Sequence, residues 1–138
     1  MASWMLIEDE ADIRNVVKVM FQVWGHNVIE FSNGNDAVKF VEQVDSGEYS
    51  GEIPSLTLSD IRMPGPNGNE IAHRIRQSPV MGEMPIILMT AFQLSESEQT
   101  AFRVNDGVNR IIFKPLPDFE KFHQMLMEVV NGTYQPPS

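Results

Sequence analysis

Four apolar runs in this chain of 138 residues each end on side chains able to do chemistry. Glu8 and Asp9 follow Trp4-Met5-Leu6-Ile7, and Asp60 follows Leu56-Thr57-Leu58-Ser59. Thr90 closes Ile86-Ile87-Leu88-Met89, and Lys114 follows Ile111-Ile112-Phe113. If the runs are parallel strands of one sheet, carboxylates, a hydroxyl and an ammonium share the crevice at the strand C-terminal ends, where open α/β sheets bind their ligands. Bare carboxylates gathered there repel one another, so either a cation occupies the site or one acid keeps its proton. Hard oxygen donors without a neighbouring His or Cys favour Mg2+ or Mn2+. Asp60 can then act as a nucleophile toward phosphorus. The cation, Lys114 and the Thr90 hydroxyl would offset charge on the phosphoryl oxygens.

The elements that must position these groups can be read along the chain. Ile13, Val16, Val17, Met20, Phe21 and Trp24 recur at helical spacing, and Gly25 is placed to end that helix. A short strand from Asn27 to Phe31 leads to a second helix capped by Asn33 or Asn35, with Ala37, Phe40, Val41 and Val44 on one side. Residues 45–54 are rich in turn formers and acids and predict an exposed loop. After the Leu56 run, Asp60-Ile61-Arg62-Met63-Pro64-Gly65-Pro66-Asn67-Gly68 excludes regular structure, and helix resumes near Asn69 with Ile71, Ala72 and Ile75 inward. The run from Ile86 to Thr90 reads as a strand covered on both faces. Ser95 and Glu98 have capping-box spacing for a helix to about Val104, which Asn105-Asp106-Gly107 stops. A fifth strand is expected from Val108 to Phe113, then a last helix opened by Pro117 or Asp118 with Phe119, Phe122, Leu126, Val129 and Val130 inside.

Five alternations of strand and helix predict a parallel sheet with helices on both faces, open and doubly wound, since five units are too few for an eight-stranded barrel. One domain is expected over residues 1–131, with 132–138 a disordered tail. The 42% apolar content is that of a globular chain. With no cysteine there is no disulfide framework and no thiolate chemistry. A formal charge of −9 argues against a direct grip on nucleic acid. No apolar run is long enough to span a membrane, and a cytoplasmic protein is the expectation. His26, His73 and His123 lack metal-site spacing and read as ordinary surface or boundary residues, Met20, Met89 and Met125 as core fillers, and Trp4 as packing on the sheet edge. Phe92, Leu94 and Phe102 are candidates for exposed apolar contacts, with burial the stronger assumption.

Leu-Ile-Glu-Asp-Glu near the start, Ser-Asp-Ile-Arg-Met-Pro-Gly-Pro-Asn-Gly-Asn-Glu in the middle, Met-Thr-Ala and Phe-Lys-Pro resemble the receiver domain of two-component response regulators, the chemotaxis-regulator-like family. The resemblance runs from about Trp4 to Val130. It implies a flavodoxin-like three-layer (βα)5 sandwich with strand order 2-1-3-4-5. By the same likeness Asp60 accepts a phosphoryl group from a sensor histidine kinase or phosphotransfer protein. Glu8, Asp9, Asp60 and the Arg62 backbone carbonyl hold Mg2+, and Thr90 and Lys114 read the phosphorylated state. Glu8 stands where aspartate is commoner, and Ile111 occupies a usually aromatic switch position. Ser59 stands where an apolar residue is usual, and Leu116 replaces a frequent Phe.

Three functions compete. A single-domain receiver would signal by phosphorylation-dependent contacts with a downstream protein or a second copy of itself, without substrate turnover beyond slow self-dephosphorylation. A receiver-like interaction module would work unphosphorylated, with Ile111 marking lost coupling. A magnesium-dependent phosphatase would use Asp60 on outside substrates, but Arg62 stands where such enzymes place a second acid. A flavin module is disfavoured because the acidic loop after the first strand repels phosphate.

Overall fold

The computed structural model describes residues 2–137. Five strands, β1 Ser3–Ile7, β2 Asn27–Phe31, β3 Leu56–Asp60, β4 Ile86–Thr90 and β5 Arg110–Phe113, form one sheet in the order β2-β1-β3-β4-β5, and every pairing is parallel. Helices α1 Ala11–Val23, α2 Gly34–Ser46, α3 Gly68–Arg76, α4 Glu96–Val104 and α5 Phe119–Val130 alternate with them. This is the expected flavodoxin-like order. The order reverses between β1 and β3, so the crevice of an open α/β sheet falls above those two strand ends.

Alternation along the strands builds two cores. Met5, Ile7, Ile86 and Leu88 face one layer with Ala37, Phe40 and Val41 of α2 and Ile71, Ala72 and Ile75 of α3. Trp4, Leu6, Ile87 and Met89 face the other, against Val17 and Phe21 of α1 and Phe122, Leu126 and Val129 of α5. A register slip of one residue would exchange the two sets, which is how the pattern fixes the pairing. By contrast, α4 carries no buried residue.

Caps set the helix starts. The Asn33 side chain accepts from the Asp36 amide at 2.8 Å, so Asn33, not Asn35, caps α2. Ser95 and Glu98 make the expected capping box on α4, and Asp118 rather than Pro117 caps α5. Gly25 follows α1 at φ +92, a left-handed position that disfavours side chains.

Several expectations change. Trp4 is 1% exposed and lies inside a core, because β1 is flanked by both β2 and β3 and has no free edge. Its indole stacks on His26 with ring centroids 3.6 Å apart. Pairing in β5 begins at Arg110, since the Val108 amide donates back to Phe102 and belongs to the turn that ends α4. Phe119 is 41% exposed at the first turn of α5, and Val130 is half-buried. Met20 and Met125 are half-buried against the second core, and Met89 is within it. Where the sequence reading ends ordered chain at 131, Gly132 reverses the backbone at φ +75 and the Thr133 and Tyr134 amides donate to the Glu128 carbonyl at 2.9 and 3.0 Å. The Arg110 guanidinium, paired with Glu128 at 2.9 Å, covers the Tyr134 ring at 4.1 Å. Ser138 lies outside the described residues.

One close approach matters for the site. The Gly34 amide donates to the Pro64 carbonyl at 2.9 Å, and a Cβ at Gly34 would overlap the Pro66 carbonyl oxygen. The start of α2 is thus a backbone-to-backbone buttress for the loop after β3. Gly34→Ala is expected to destabilise the protein by about 1–3 kcal/mol, the range for overpacking a tight contact, measured by urea denaturation. An unchanged midpoint would show that the loop can move away at no cost.

Candidate functional site

The crevice above β1 and β3 collects the predicted residues. Glu8, directly after β1, is 0% exposed, and its amide donates to the Phe31 carbonyl at 3.1 Å, extending the β1–β2 ladder. Asp60 ends β3 at 7% exposure, with the Ile61 amide donating to its Oδ1 at 2.9 Å. Thr90 ends β4 at 1% exposure. The Lys114 amide, just past β5, donates to the Thr90 carbonyl at 2.7 Å, and the Lys114–Pro115 peptide is cis.

Side chains converge from these ends. Lys114 Nζ donates to Glu8 Oε1 at 2.8 Å and to Asp60 Oδ2 at 3.1 Å. Glu8, Asp9 and Asp60 can each offer a carboxylate oxygen within 4.8 Å of the others. Asp9 is exposed, so it closes the solvent side of the cluster. Glu8 Oε2 is buried without a hydrogen-bond partner. An orphaned carboxylate oxygen aimed into an acid cluster is costly unless a proton or a cation meets it.

The electrostatics agree with that reading. Burial pushes the Glu8 carboxyl from its ordinary 4.5 up to about 7, helped by the neighbouring Asp60 and opposed by Lys114. Burial pulls Lys114 down, but its bonds to Glu8 and Asp60 outweigh that pull and hold it above its ordinary value. The residues therefore fit a hard divalent cation. Glu8, Asp9 and Asp60 would supply carboxylate oxygens, and a bound cation would take the place of the proton that burial now favours on Glu8.

Arg62 follows β3 in the loop. The carbonyls on either side are engaged, Ile61 accepting from Gly68 at 2.7 Å and Pro64 from Gly34 at 2.9 Å, while no backbone amide among the described residues reaches the Arg62 carbonyl. Ile111 is half-buried and packs on the first core beside Leu94 and Phe102. Phe92 is 49% exposed, so of the three candidate surface apolar residues it alone stands mostly in solvent.

Two features escaped the sequence reading. Arg14 Nη1 donates to the Glu8 carbonyl at 2.8 Å while its Nε pairs with Glu30 at 3.3 Å, so a β2 acid orients the residue that steadies Glu8. The Arg62 guanidinium carbon also stands 4.2 Å from the centroid of the Phe92 ring. Neither has a local sequence signal, because each joins segments that meet only in the folded chain.

A doubly wound sheet with acids, a hydroxyl and a lysine at its topological switch point defines a receiver-type α/β protein. The chain belongs to the response regulator receiver domain family, whose model matches residues 5–127. It is 29% identical over 116 residues to an uncharacterized 14.6 kDa protein of Leptolyngbya boryana, covering 84% of this chain and 81% of that protein. It is 29% identical over 111 residues to the phosphate regulon transcriptional regulatory protein PhoB of Pseudomonas aeruginosa, covering 80% of this chain but only 44% of that regulator. Among solved structures, the chemotaxis protein CheY4 of Vibrio cholerae superposes with a TM-score of 0.78 at 22% identity, covering 94% of this chain and 98% of that one. The receiver domain of a sensor histidine kinase from Pseudomonas aeruginosa, with a magnesium ion in its active site cleft, gives 0.76 at 22% identity, covering 94% and 98%.

The raised Glu8 pKa fixes a sign. The folded state holds this proton more tightly than the unfolded chain does. The stabilisation is complete below about pH 4.5 and is lost as pH rises through about 7. In metal-free buffer near pH 8, Glu8→Gln is expected to be more stable than the wild type by roughly 1–3 kcal/mol and to lose the wild-type slope between about pH 5 and 7. Denaturant midpoints across that range in chelator test this. Parallel pH profiles for the two proteins would refute the assignment.

Proposed function

We propose that this protein is a phosphorylation-controlled receiver in which Asp60 accepts a phosphoryl group from a histidine kinase or phosphotransfer protein. A bond forms from an Asp60 carboxylate oxygen to phosphorus as the phosphorus bond to the donor imidazole nitrogen breaks, and the leaving nitrogen keeps the electron pair. The observation that carries the reading is Lys114 Nζ bridging Glu8 and Asp60 while Glu8 Oε2 lies buried and unpartnered.

Each residue has a distinct part in that chemistry. Asp60 keeps one oxygen fixed by the Ile61 amide, which orients the carboxylate toward the crevice. Lys114 is already placed to exchange its contact with Asp60 for one with a phosphoryl oxygen. Thr90 offers a hydroxyl proton to another oxygen. Glu8, Asp9, Asp60 and the Arg62 carbonyl would hold Mg2+, which when bound offsets charge on the transferring group. The magnesium ion in the cleft of the related sensor-kinase receiver domain supports this choice of metal.

The phosphorylated form acts through protein contacts, and Asp60 turns over no outside substrate, since Arg62 offers no general acid two residues beyond it. Slow self-hydrolysis of the acyl phosphate ends the signal. A protein of formal charge −9 would reach nucleic acid only through a partner. No helix among the described residues is long and apolar enough to cross a membrane, and a cytoplasmic location suits this role.

Incubation with acetyl phosphate and Mg2+ is expected to add one labile phosphoryl group by intact mass, lost in Asp60→Asn and without metal. A wild type that gains no mass under conditions that preserve acyl phosphates would instead favour an interaction module that works unphosphorylated, the reading that Ile111 at the switch position supports.

A further inference from the structure

Resting on the phosphoacceptor reading, we infer that Arg62 and Phe92 form a latch that holds the segment between β4 and α4 in the unphosphorylated arrangement and opens when Asp60 is phosphorylated. The Arg62 guanidinium carbon lies 4.2 Å from the Phe92 ring centroid, within the reach of a cation–π contact. The Phe92 amide donates to Thr90 Oγ1 at 3.1 Å. Each partner is thus joined to the site through its own backbone: Arg62 lies two residues after Asp60, and Phe92 is tied by its amide to the hydroxyl that would meet the phosphoryl group.

That geometry makes the two conditions compete. In this arrangement the Thr90 oxygen serves the Phe92 amide, and no hydrogen bond joins it to Asp60. Turning the hydroxyl toward a phosphoryl group on Asp60 withdraws the acceptor from the Phe92 amide. Residues 91–93 belong to no helix or strand, and the following α4 buries no residue, so little else resists their movement. Phe92 then leaves the guanidinium. Arg62 also lines the groove between the β3–α3 loop and α4, together with Leu94 and Phe102, so the opened latch changes the wall of a surface groove. Ile111 beneath packs inward as an aliphatic filler, and the aromatic that changes place is Phe92.

Beryllofluoride with Mg2+, a non-covalent stand-in for the phosphoryl group, tests this on the full chain. A contact present only in the unliganded state opposes ligand binding, so removing it tightens binding. Arg62→Gln and Phe92→Leu are each expected to lower the apparent dissociation constant about two- to fivefold, from the modest strength of an exposed cation–π pair. The double variant should gain no more than either single change, and Arg62→Lys should fall between wild type and Arg62→Gln. Amide resonances read by NMR verify folding of every variant and report whether the Phe92 amide shifts on binding. Independent, additive effects, or unchanged affinity in both single variants, would overturn the latch while leaving the phosphoacceptor reading intact. Failure of the wild type to bind beryllofluoride would overturn both.

Discussion

A single ammonium placed between two buried carboxylates is the constraint on which the rest of the molecule depends. Glu8 and Asp60 come from adjacent strands, and their separation is set by the β1–β3 pairing of Ile7 with Ser59. Lys114 comes from β5, two strands from β3, which at ordinary strand spacing is about 10 Å. Only a long side chain can bridge that gap, and only if the intervening strand ends on something small. Thr90 at the end of β4 meets that condition while leaving a hydroxyl in the crevice. Charge balance remains incomplete, because one ammonium faces Glu8, Asp60 and the exposed Asp9. The deficit makes the site receptive to a further cation and, through it, to an anionic group.

The two ends of the sheet solve opposite electrostatic problems. At the far end the Arg76 guanidinium reaches the carbonyls of Gly82, Met84 and Gly107 and the Asn109 side chain, with no carboxylate among these partners. Burial there pulls its pKa down from the ordinary value, yet neutral acceptors satisfy its donors and fasten the loops before β4 and β5. That cation is saturated by the fold itself. The crevice acids are not, since Glu8 Oε2 has no donor from the protein. Structural and functional burial of charge are distinguished here by whether the protein supplies every partner.

Much of this was legible in the sequence because strand ends and helix faces are local patterns. The apolar runs before Glu8, Asp60, Thr90 and Lys114 located the crevice, since a parallel strand buried on both faces is a continuous run and its end is abrupt. Helix faces such as Ala37, Phe40, Val41 and Val44 followed from their spacing, and all four are buried. What stayed hidden depends on neighbours distant in the chain. Trp4 looked like a terminal residue on an edge, but strand order, which no local pattern encodes, puts β1 inside the sheet and the indole against His26. The packing of Tyr134 on Arg110 was equally invisible, because composition after Asn131 speaks of a tail while the contact needs a specific turn at Gly132. Metal-ligand types could be read from sequence. The unpartnered oxygen that makes Glu8 more than a buried acid could not.

The uneven distribution of burial explains why a change in the crevice should be felt on one face above others. Every helix but α4 buries residues in one of the two cores, so moving α1, α2, α3 or α5 would expose close-packed apolar surface. The segment from Ala91 to Val104 instead rests on partly buried contacts from Leu94 and Phe102, joined by Ile111 from β5. Its first turn is secured by the local Ser95–Glu98 capping box, which travels with the helix and does not anchor it to the sheet. A modest free-energy difference at Thr90 can therefore displace this segment as a unit, whereas the same difference applied to α2 would have to break the Gly34–Pro64 backbone bond and the core behind it. Stability and responsiveness are assigned to different helices of one small domain, and the boundary between them runs through the last residue of β4.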